Sequence, residues 1–259
     1  SYLRRRVDGA IAGERLQHDI GRPVEAAASI TKAFELRERA SENEKLSIEV
    51  LYYEFAAHNL AKAAATAEVW KRTFPRFWQP WHSLADIYFG LGQYEKALEN
   101  GREAVRLNPN FAAAYTNPGG ALVQLNRFAE AKELYGQALA NNLDHVGYHF
   151  YLFWIGYFEH DGPAIQQQLD WMRTHDYKHF AFAFESQLAA LEGRRKQSLD
   201  FSRQARAENK NYGQQELAAS SFVSDADTSA LFGDCRSAKQ LAREGLPLTE
   251  NNILLTNAA

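Results

Sequence analysis

Apolar residues recur along the chain with the spacing of an amphipathic helix. In 78–111, Trp81, Leu84, Ala85 and Tyr88 follow the spacing i, i+3, i+4, i+7, which places them on one face of an α-helix. The stretch therefore predicts a first helix whose bulky side chains point into a core.

A second helix in the same stretch is marked by small residues. Ala97, Gly101 and Ala104 share one face, and small side chains let two antiparallel helices approach closely. Gly92 lies between the two helices, where a left-handed backbone conformation ends the first. Pro109 follows the second helix and is expected to stop it. The pattern predicts a helical hairpin.

The hairpin pattern repeats every 34 residues, and such a hairpin cannot bury its apolar face alone. We therefore predict an all-α fold, a right-handed α-solenoid of stacked antiparallel helix pairs over 1–259, cut from a longer chain. Asn126 takes the place of Gly92 one unit later. About seven units are expected, at 7–43, 44–77, 78–111, 112–145, 146–178, 179–212 and 213–248, with 249–259 beginning a further helix.

These residues resemble the tetratricopeptide repeat, most closely in 78–111 and 112–145. The chain departs from the family motif at Ala85, where the motif has glycine, and at Pro118, which predicts a kink inside a first helix. The resemblance implies a protein–protein interaction scaffold with a concave groove for a partner peptide or domain. Carried over residue by residue, the groove positions are Tyr52, Phe55, His82, Asp86, Phe89, Thr116, Gly120, Phe150, Trp154 and Tyr157.

The predicted groove is aromatic and lacks the matched basic set that grips a chaperone tail. One reading is that its rings anchor an apolar or helical peptide. The other is that they pack between neighbouring helices. The stretch 149–154, hydrophobic on nearly all sides, is the best single candidate for a contact surface.

A finer resemblance rests on three sequence runs: 52–55, 68–76 and 125–132. They are similar to the repeat region after the kinase domain in bacterial, especially acidobacterial, serine/threonine protein kinases. This implies a sensor or docking region of a signalling protein. The alternatives are a free-standing adaptor or chaperone cofactor and, ranked third, an enzyme with a helical-repeat body.

Composition excludes several classes of function. The formal net charge of -3 offers no basic field for nucleic acid, and no apolar run is long enough to insert into a membrane. The cellular location stays open, cytoplasmic or, with a preceding membrane helix, extracytoplasmic. End-to-end self-association is possible because open arrays lack caps.

No catalytic, cofactor or metal site is predicted. His145 and His149 are four residues apart beside Asp144, but no recognised ligand motif completes them. Cys235 is the single cysteine, which excludes a multi-cysteine zinc site. The run 118–120 lacks the Gly-Lys-Ser/Thr ending of a phosphate loop.

Overall fold

The protein is all-α in the residues that the computed structural model describes, 23–211 and 215–248. These residues form thirteen α-helices and no strand, so the predicted fold class is confirmed. None of these helices combines the length and apolar character needed to cross a bilayer. The helices are α1 Pro23–Glu35, α2 Glu42–Leu51, α3 Leu60–Thr73, α4 Trp78–Gly90, α5 Tyr94–Leu107, α6 Thr116–Gln124, α7 Phe128–Ala140, α8 Val146–Phe158, α9 Gly162–Thr174, α10 Lys178–Leu191, α11 Arg195–Asn211, α12 Gln215–Leu231 and α13 Cys235–Gly245.

The described helices fall into two compact units. Unit 1 contains 25–165, and unit 2 contains 166–211 and 215–248, with 23–24 assigned to it. In unit 1 each helix from α2 to α7 packs on the next, and the first helices of neighbouring hairpins also touch, α4 with α6 and α6 with α8. The boundaries of the seven predicted helix pairs stay predictions, as does the single solenoid over 1–259. Residues 7–22 of the first predicted pair and residues 249–259 lie outside the described residues.

The turns between helices have the backbone that the sequence indicated. Gly92 has φ +70° after α4, and Asn126 has φ +58° after α6. The same left-handed conformation recurs at Gly193 and Gly233. A left-handed residue at this place ends the helix and redirects the chain into the next one.

The helix faces of unit 1 meet as the spacing predicted. Leu84 and Ala85 are fully buried, as are Ala97 and Ala104 on the facing helix. At Gly101 an added Cβ would lie 2.7 Å from the ring of Pro118 on α6, which only glycine avoids. Small residues on the second helix thus allow the next hairpin to approach.

The kink predicted at Pro118 is not where the backbone becomes irregular. The chain forms a 3₁₀ turn over Ala112–Tyr115, and α6 begins only at Thr116. Pro118 is therefore in the first turn of α6, where a missing N–H breaks no helical hydrogen bond. The 3₁₀ turn replaces the beginning of the longer helix that the repeat pattern predicts.

Unit 2 contains a polar layer between its helices. The hydroxyl of Ser202 on α11 is 2.9 Å from that of Ser221 on α12. Beside them the guanidinium of Arg206 donates to the carboxylate of Asp225, and both side chains are buried. Burial raises the pKa of Asp225, and the contact with Arg206 opposes that rise.

Candidate functional site

All the predicted groove residues lie in unit 1, and they are accessible in part. Phe55 is exposed, and the other eight side chains of the set are half-buried. None of these nine belongs to the fully buried core. Gly120, the tenth predicted groove position, is buried. The half-buried side chains are those of Tyr52, His82, Asp86, Phe89, Thr116, Phe150, Trp154 and Tyr157.

Side chains from three successive first helices meet on one surface. Asn117 on α6 donates a hydrogen bond to the carboxylate of Asp86 on α4. The ring of Tyr151 on α8 stands edge-on to that of Phe89 on α4, with 6.4 Å between centroids. We use the name first-helix face for these side chains together with Glu54, which follows the first helix α2. The face consists of Glu54, Asp86, Phe89, Asn117 and Tyr151.

Two glycines of α6 allow tyrosine rings to approach the helix backbone. A Cβ on Gly120 would lie 2.4 Å from the ring of Tyr151, and one on Gly119 would lie 2.2 Å from the ring of Tyr135. Distances below 3.0 Å would force the ring or the helix to move. Tyr135 is fully buried and donates a 3.1 Å hydrogen bond to the carbonyl of Thr116. Its ring therefore cannot move aside without losing that packing and that hydrogen bond. The glycines thus fix where both rings lie.

Burial raises the pKa of both carboxyl groups of this face, Glu54 and Asp86. Burial, and then the charge of Asp86, raise the pKa of Glu54 well above its usual range. Burial also raises the pKa of Asp86, against the opposing effects of His82 and of the hydrogen bond from Asn117. Burial and the charge of Asp86 raise the pKa of Tyr151 to about 12. Burial is thus the largest cause of the raised pKa in all three groups.

A π-helical turn over Tyr52–Ala56 carries Glu54. The turn is closed by a hydrogen bond of 2.8 Å from the N–H of Ala57 to the carbonyl of Tyr52. A π turn contains one more residue per hydrogen-bonded loop than an α-helix, and such turns are frequent at functional sites. The extra residue shifts the side chains out of the register that the repeat spacing predicts.

His82 lies beside Asp86 on the same helix, α4. Its Nε2 atom is 3.5 Å from a carboxylate oxygen of Asp86, and its ring packs near Trp78 and edge-on to Phe111, at 5.8 and 5.4 Å. The Nδ1 atom is buried with no hydrogen-bond partner. His82 is therefore held by aromatic packing and by its contact with Asp86.

The other predicted groove positions lie at the margins of the face. Tyr52 stacks on Phe34 with 3.9 Å between ring centroids. Thr116 is within 3.2 Å of Nδ1 of His145, which also accepts a 3.1 Å hydrogen bond from the N–H of Gly147. These contacts give Tyr52 and His145 structural roles, and burial lowers the pKa of His145.

Helix α8, with the predicted contact stretch 149–154, buries one side and presents another. Phe153 is fully buried, whereas Phe150 and Trp154 are half-buried. Trp154 lies edge-on to Tyr157 at 5.8 Å. His149 is buried, with its Nε2 atom 2.9 Å from a carboxylate oxygen of Asp144. In the described part of the chain, no three His, Cys, Asp or Glu residues are grouped to hold a metal ion.

Sequence reasoning missed Glu54, Asn117 and Tyr151. The 34-residue step aligns Glu54 with Tyr88, a core position, and the π-helical turn has no sequence signal strong enough to correct that alignment. Asn117 and Tyr151 are themselves 34 residues apart, and both reach back to the preceding first helix. That shared position could have been found by comparing successive units.

Comparisons with known proteins address the fold. A family model described as TPR repeat matches residues 85–124, within the stretch where α4, α5 and α6 pack together. A crystal structure of a tetratricopeptide repeat protein from Parabacteroides merdae superposes with a TM-score of 0.62 at 14% identity, covering 95% of this chain and 97% of that chain. These findings support a tetratricopeptide-repeat protein.

Two other structures share the tetratricopeptide-repeat fold. The Cut9–Hcn1 structure of the APC/C gives a TM-score of 0.60 at 14% identity over 93% of this chain, which spans 46% of that chain. The structure of pilF from Pseudomonas aeruginosa gives 0.53 at 17% identity over 85% of this chain and all of that one. At such identities the likeness concerns the fold alone.

Proposed function

We propose that this tetratricopeptide-repeat protein is a protein–protein interaction scaffold that binds a partner peptide or domain on the first-helix face of unit 1. The proposal rests mainly on one observation: side chains from three successive first helices meet there while remaining partly accessible. A continuous surface built from several repeats suits an extended or helical segment, which contacts each repeat in turn.

The alternative interpretation is that the aromatic rings of the groove only pack between neighbouring helices, and the surroundings of Phe89 argue against it. Phe89 uses its ring edges against Tyr94 at 5.5 Å and Tyr151 at 6.4 Å but stays half-buried. A ring that is supported from the side and partly open has a fixed orientation, so little entropy is lost when a ligand contacts it. Aromatic side chains of this kind are typical anchors at interfaces.

A finer proposal is that the chain forms the sensor or docking region of a bacterial serine/threonine protein kinase. Its support is the sequence similarity of 52–55, 68–76 and 125–132 to such repeat regions. Reading the complete coding sequence around this segment tests it: a kinase domain on the same chain is expected. A coding sequence with no kinase domain would favour the free-standing adaptor, and an additional catalytic domain of another class would favour the enzyme.

The binding proposal is tested with a displayed library of random dodecapeptides. Peptides that bind the protein are synthesised, and their affinities are measured by calorimetry for the wild type and for Phe89→Ala and Trp154→Ala. Loss of an interface anchor is expected to weaken binding by about tenfold or more. Val69→Ala is the matched control, because Val69 is an exposed apolar residue on a second helix, α3.

Two results would contradict the binding proposal: a library that yields no binder, or binders whose affinity is unchanged by both anchor substitutions. Ala97→Leu separates folding from binding, since overpacking this fully buried position is expected to cost about 1–3 kcal/mol of stability. Thermal unfolding of Phe89→Ala should show that its fold is intact while its affinity is reduced.

End-to-end self-association is a separate proposal that rests on the open architecture of repeat arrays. Analytical ultracentrifugation over a hundredfold range of concentration tests it. A sedimentation coefficient that rises with concentration is expected, and a constant monomeric value would contradict it.

A further inference from the structure

Helix α8 begins at a histidine that caps its first turn. The Nδ1 atom of His145 accepts a 3.1 Å hydrogen bond from the N–H of Gly147. The first N–H groups of a helix have no acceptor within the helix itself, and a side-chain oxygen is the usual substitute. Gly147 is buried, which keeps water from replacing the histidine as the acceptor.

The hydrogen bond to Gly147 requires a neutral imidazole. A backbone N–H can only donate, so the Nδ1 atom of His145 must offer its lone pair. Protonation places a hydrogen on Nδ1 and ends this bond. It also places a positive charge at the N-terminus of α8, where the helix dipole disfavours cations. The common capping residues serine, threonine and asparagine do not titrate and therefore lack this sensitivity to acid.

A second partner of the same Nδ1 atom suits the protonated ring. The hydroxyl oxygen of Thr116, at the start of α6, is 3.2 Å from Nδ1 of His145. A hydroxyl donates to a neutral imidazole and accepts from a protonated one. Protonated His145 can therefore remain bonded to Thr116 while its bond to Gly147 is lost. The side chain thus has two hydrogen-bonding states that differ by one proton.

The groups around His145 shift its pKa in both directions. Burial, the largest cause, lowers this pKa; Asp144 opposes the shift, whereas His149 on α8 and His82 on α4 reinforce it. The ring of Tyr148 also packs near the imidazole, with 5.6 Å between centroids. Because folding lowers the pKa, the unfolded chain takes up this proton at higher pH than the folded protein. The contribution of the cap is thus present above the ordinary histidine pKa and is lost as pH falls below it.

Stacked rings connect the capped turn to the first-helix face. Tyr148, in the first turn of α8, stacks on Tyr135 with 4.9 Å between centroids. Tyr135 is in turn stacked with Tyr151, at 6.3 Å, and Tyr151 contacts Phe89. A displacement of the first turn is therefore transmitted to a ring of the face.

We propose that His145 is an acid-sensitive cap, and that a proton on its ring releases the first turn of α8 and weakens peptide binding at the first-helix face. This regulation rests on the binding function proposed above. The neutral imidazole holds the turn in place, and Tyr151 then keeps the orientation in which it contacts Phe89. In acid the N–H of Gly147 loses its acceptor, and the rings of the face lose their fixed positions.

Nuclear magnetic resonance tests the cap without any ligand. The ring of His145 is titrated, and hydrogen exchange of the Gly147 amide is measured on both sides of the midpoint, after correction for the intrinsic effect of pH on exchange. In the wild type, protonation is expected to reduce the protection of this amide by about fivefold, as for loss of a side-chain cap. In His145→Asn, which keeps an acceptor but does not titrate, the change should stay below about twofold.

Two further variants locate the effect. His145→Ala removes the acceptor and should show the reduced protection of Gly147 already at neutral pH. His160→Asn is the matched control, because His160 is exposed in the turn after α8 and has φ +57°, a conformation that asparagine tolerates. This variant should respond to acid as the wild type does.

The effect on binding is tested with peptides recovered from the random dodecapeptide library. Peptides without titratable side chains are chosen, so that only the protein changes its charge. When the pH is lowered across the midpoint of His145, the affinity of the wild type is expected to fall by about fivefold more than that of His145→Asn.

Three results would overturn the inference. They are a His145 ring that stays neutral wherever the protein is folded, a Gly147 amide whose protection is unchanged by protonation, and equal acid responses of wild type and His145→Asn in either measurement. If the library yields no binder, or if binding is insensitive to Phe89→Ala and Trp154→Ala, the binding proposal fails together with its regulation. Exchange of the Gly147 amide would then still decide whether His145 is an acid-sensitive cap.

Discussion

Burial raises the pKa of both Asp225 in unit 2 and Glu54 in unit 1, but the surroundings of the two carboxyl groups differ. Asp225 accepts a hydrogen bond from the buried guanidinium of Arg206, with serine hydroxyls nearby. Within the described part of the chain, Asp86 is the one charged group that shifts the pKa of Glu54, and its charge has the same sign. Arg206 thus compensates Asp225, whereas no cation among the residues that the structure describes does so for Glu54.

The difference separates a carboxyl that is paired with a cation from one that burial favours in its neutral form. A buried ion pair inside the core keeps its two members satisfied and has nothing to offer a partner. A carboxyl withdrawn from water without a cationic partner favours its neutral form, and burial accordingly raises the pKa of Glu54.

The largest expected effect follows from removing the compensation in unit 2. Arg206→Ala should lower the free energy of unfolding by about 3–5 kcal/mol, since it leaves Asp225 as an unpaired buried charge. Chemical denaturation measures this directly. Arg203→Ala is the control on the same helix, because Arg203 is exposed and should change stability by less than about 0.5 kcal/mol.

A double substitution then distinguishes charge from packing. Arg206→Met combined with Asp225→Leu removes both members of the pair and should recover most of the lost stability. If the double variant is as unstable as Arg206→Ala, the layer between α11 and α12 depends on polar contacts with the serines, and the description of Asp225 as a compensated charge is wrong.

A smaller effect concerns the first-helix face of unit 1. Gly120→Ala should lower stability by about 1–3 kcal/mol, because the new methyl group would collide with the ring of Tyr151. It should also weaken peptide binding by displacing that ring. Gly136→Ala is the matched control within helix α7, since no atom lies within 4 Å of its added Cβ, and it should raise stability by about 0.5–1 kcal/mol. Equal effects of the two substitutions would contradict the packing argument.

Local rules predicted the hairpins and the turns between them well. Gly92 and Asn126 were recognised because few residues tolerate a left-handed backbone. The close approach at Gly101 followed from the stripe of small residues on the second helix. In both cases the physical requirement is met by residues near one another in sequence, so the pattern is visible without coordinates.

The features that distinguish the two carboxyls depend on contacts between distant residues. Arg206 and Asp225 are 19 residues apart, and each lies in a polar stretch that reads as a solvated helix face. Glu54 falls on a core position in the repeat register, and the π-helical turn that moves it has no sequence signature. The sequence therefore predicted a groove along the first helices but not which of its charges lack partners.

The smallest expected effect has the opposite sign to that of Arg206→Ala. Because folding raises the pKa of Glu54, the unfolded chain releases this proton at lower pH than the folded protein, and wild-type stability falls as pH rises between the two pKa values. Glu54→Gln removes this loss. It should have little electrostatic effect below about pH 4, where the carboxyl is protonated in both states, and stabilise the unbound protein by about 0.5–2 kcal/mol above the folded pKa.

Denaturation of wild type and Glu54→Gln as a function of pH tests this sign. The contrasting control is Asp234→Asn, because hydrogen bonds from Ser237 lower the pKa of Asp234 to about 2. The wild-type contribution of Asp234 is present above its unfolded pKa and is lost as pH falls through about 2, so this substitution should destabilise the protein at neutral pH. If Glu54→Gln also destabilised it there, Glu54 would already have a stabilising partner in the folded chain.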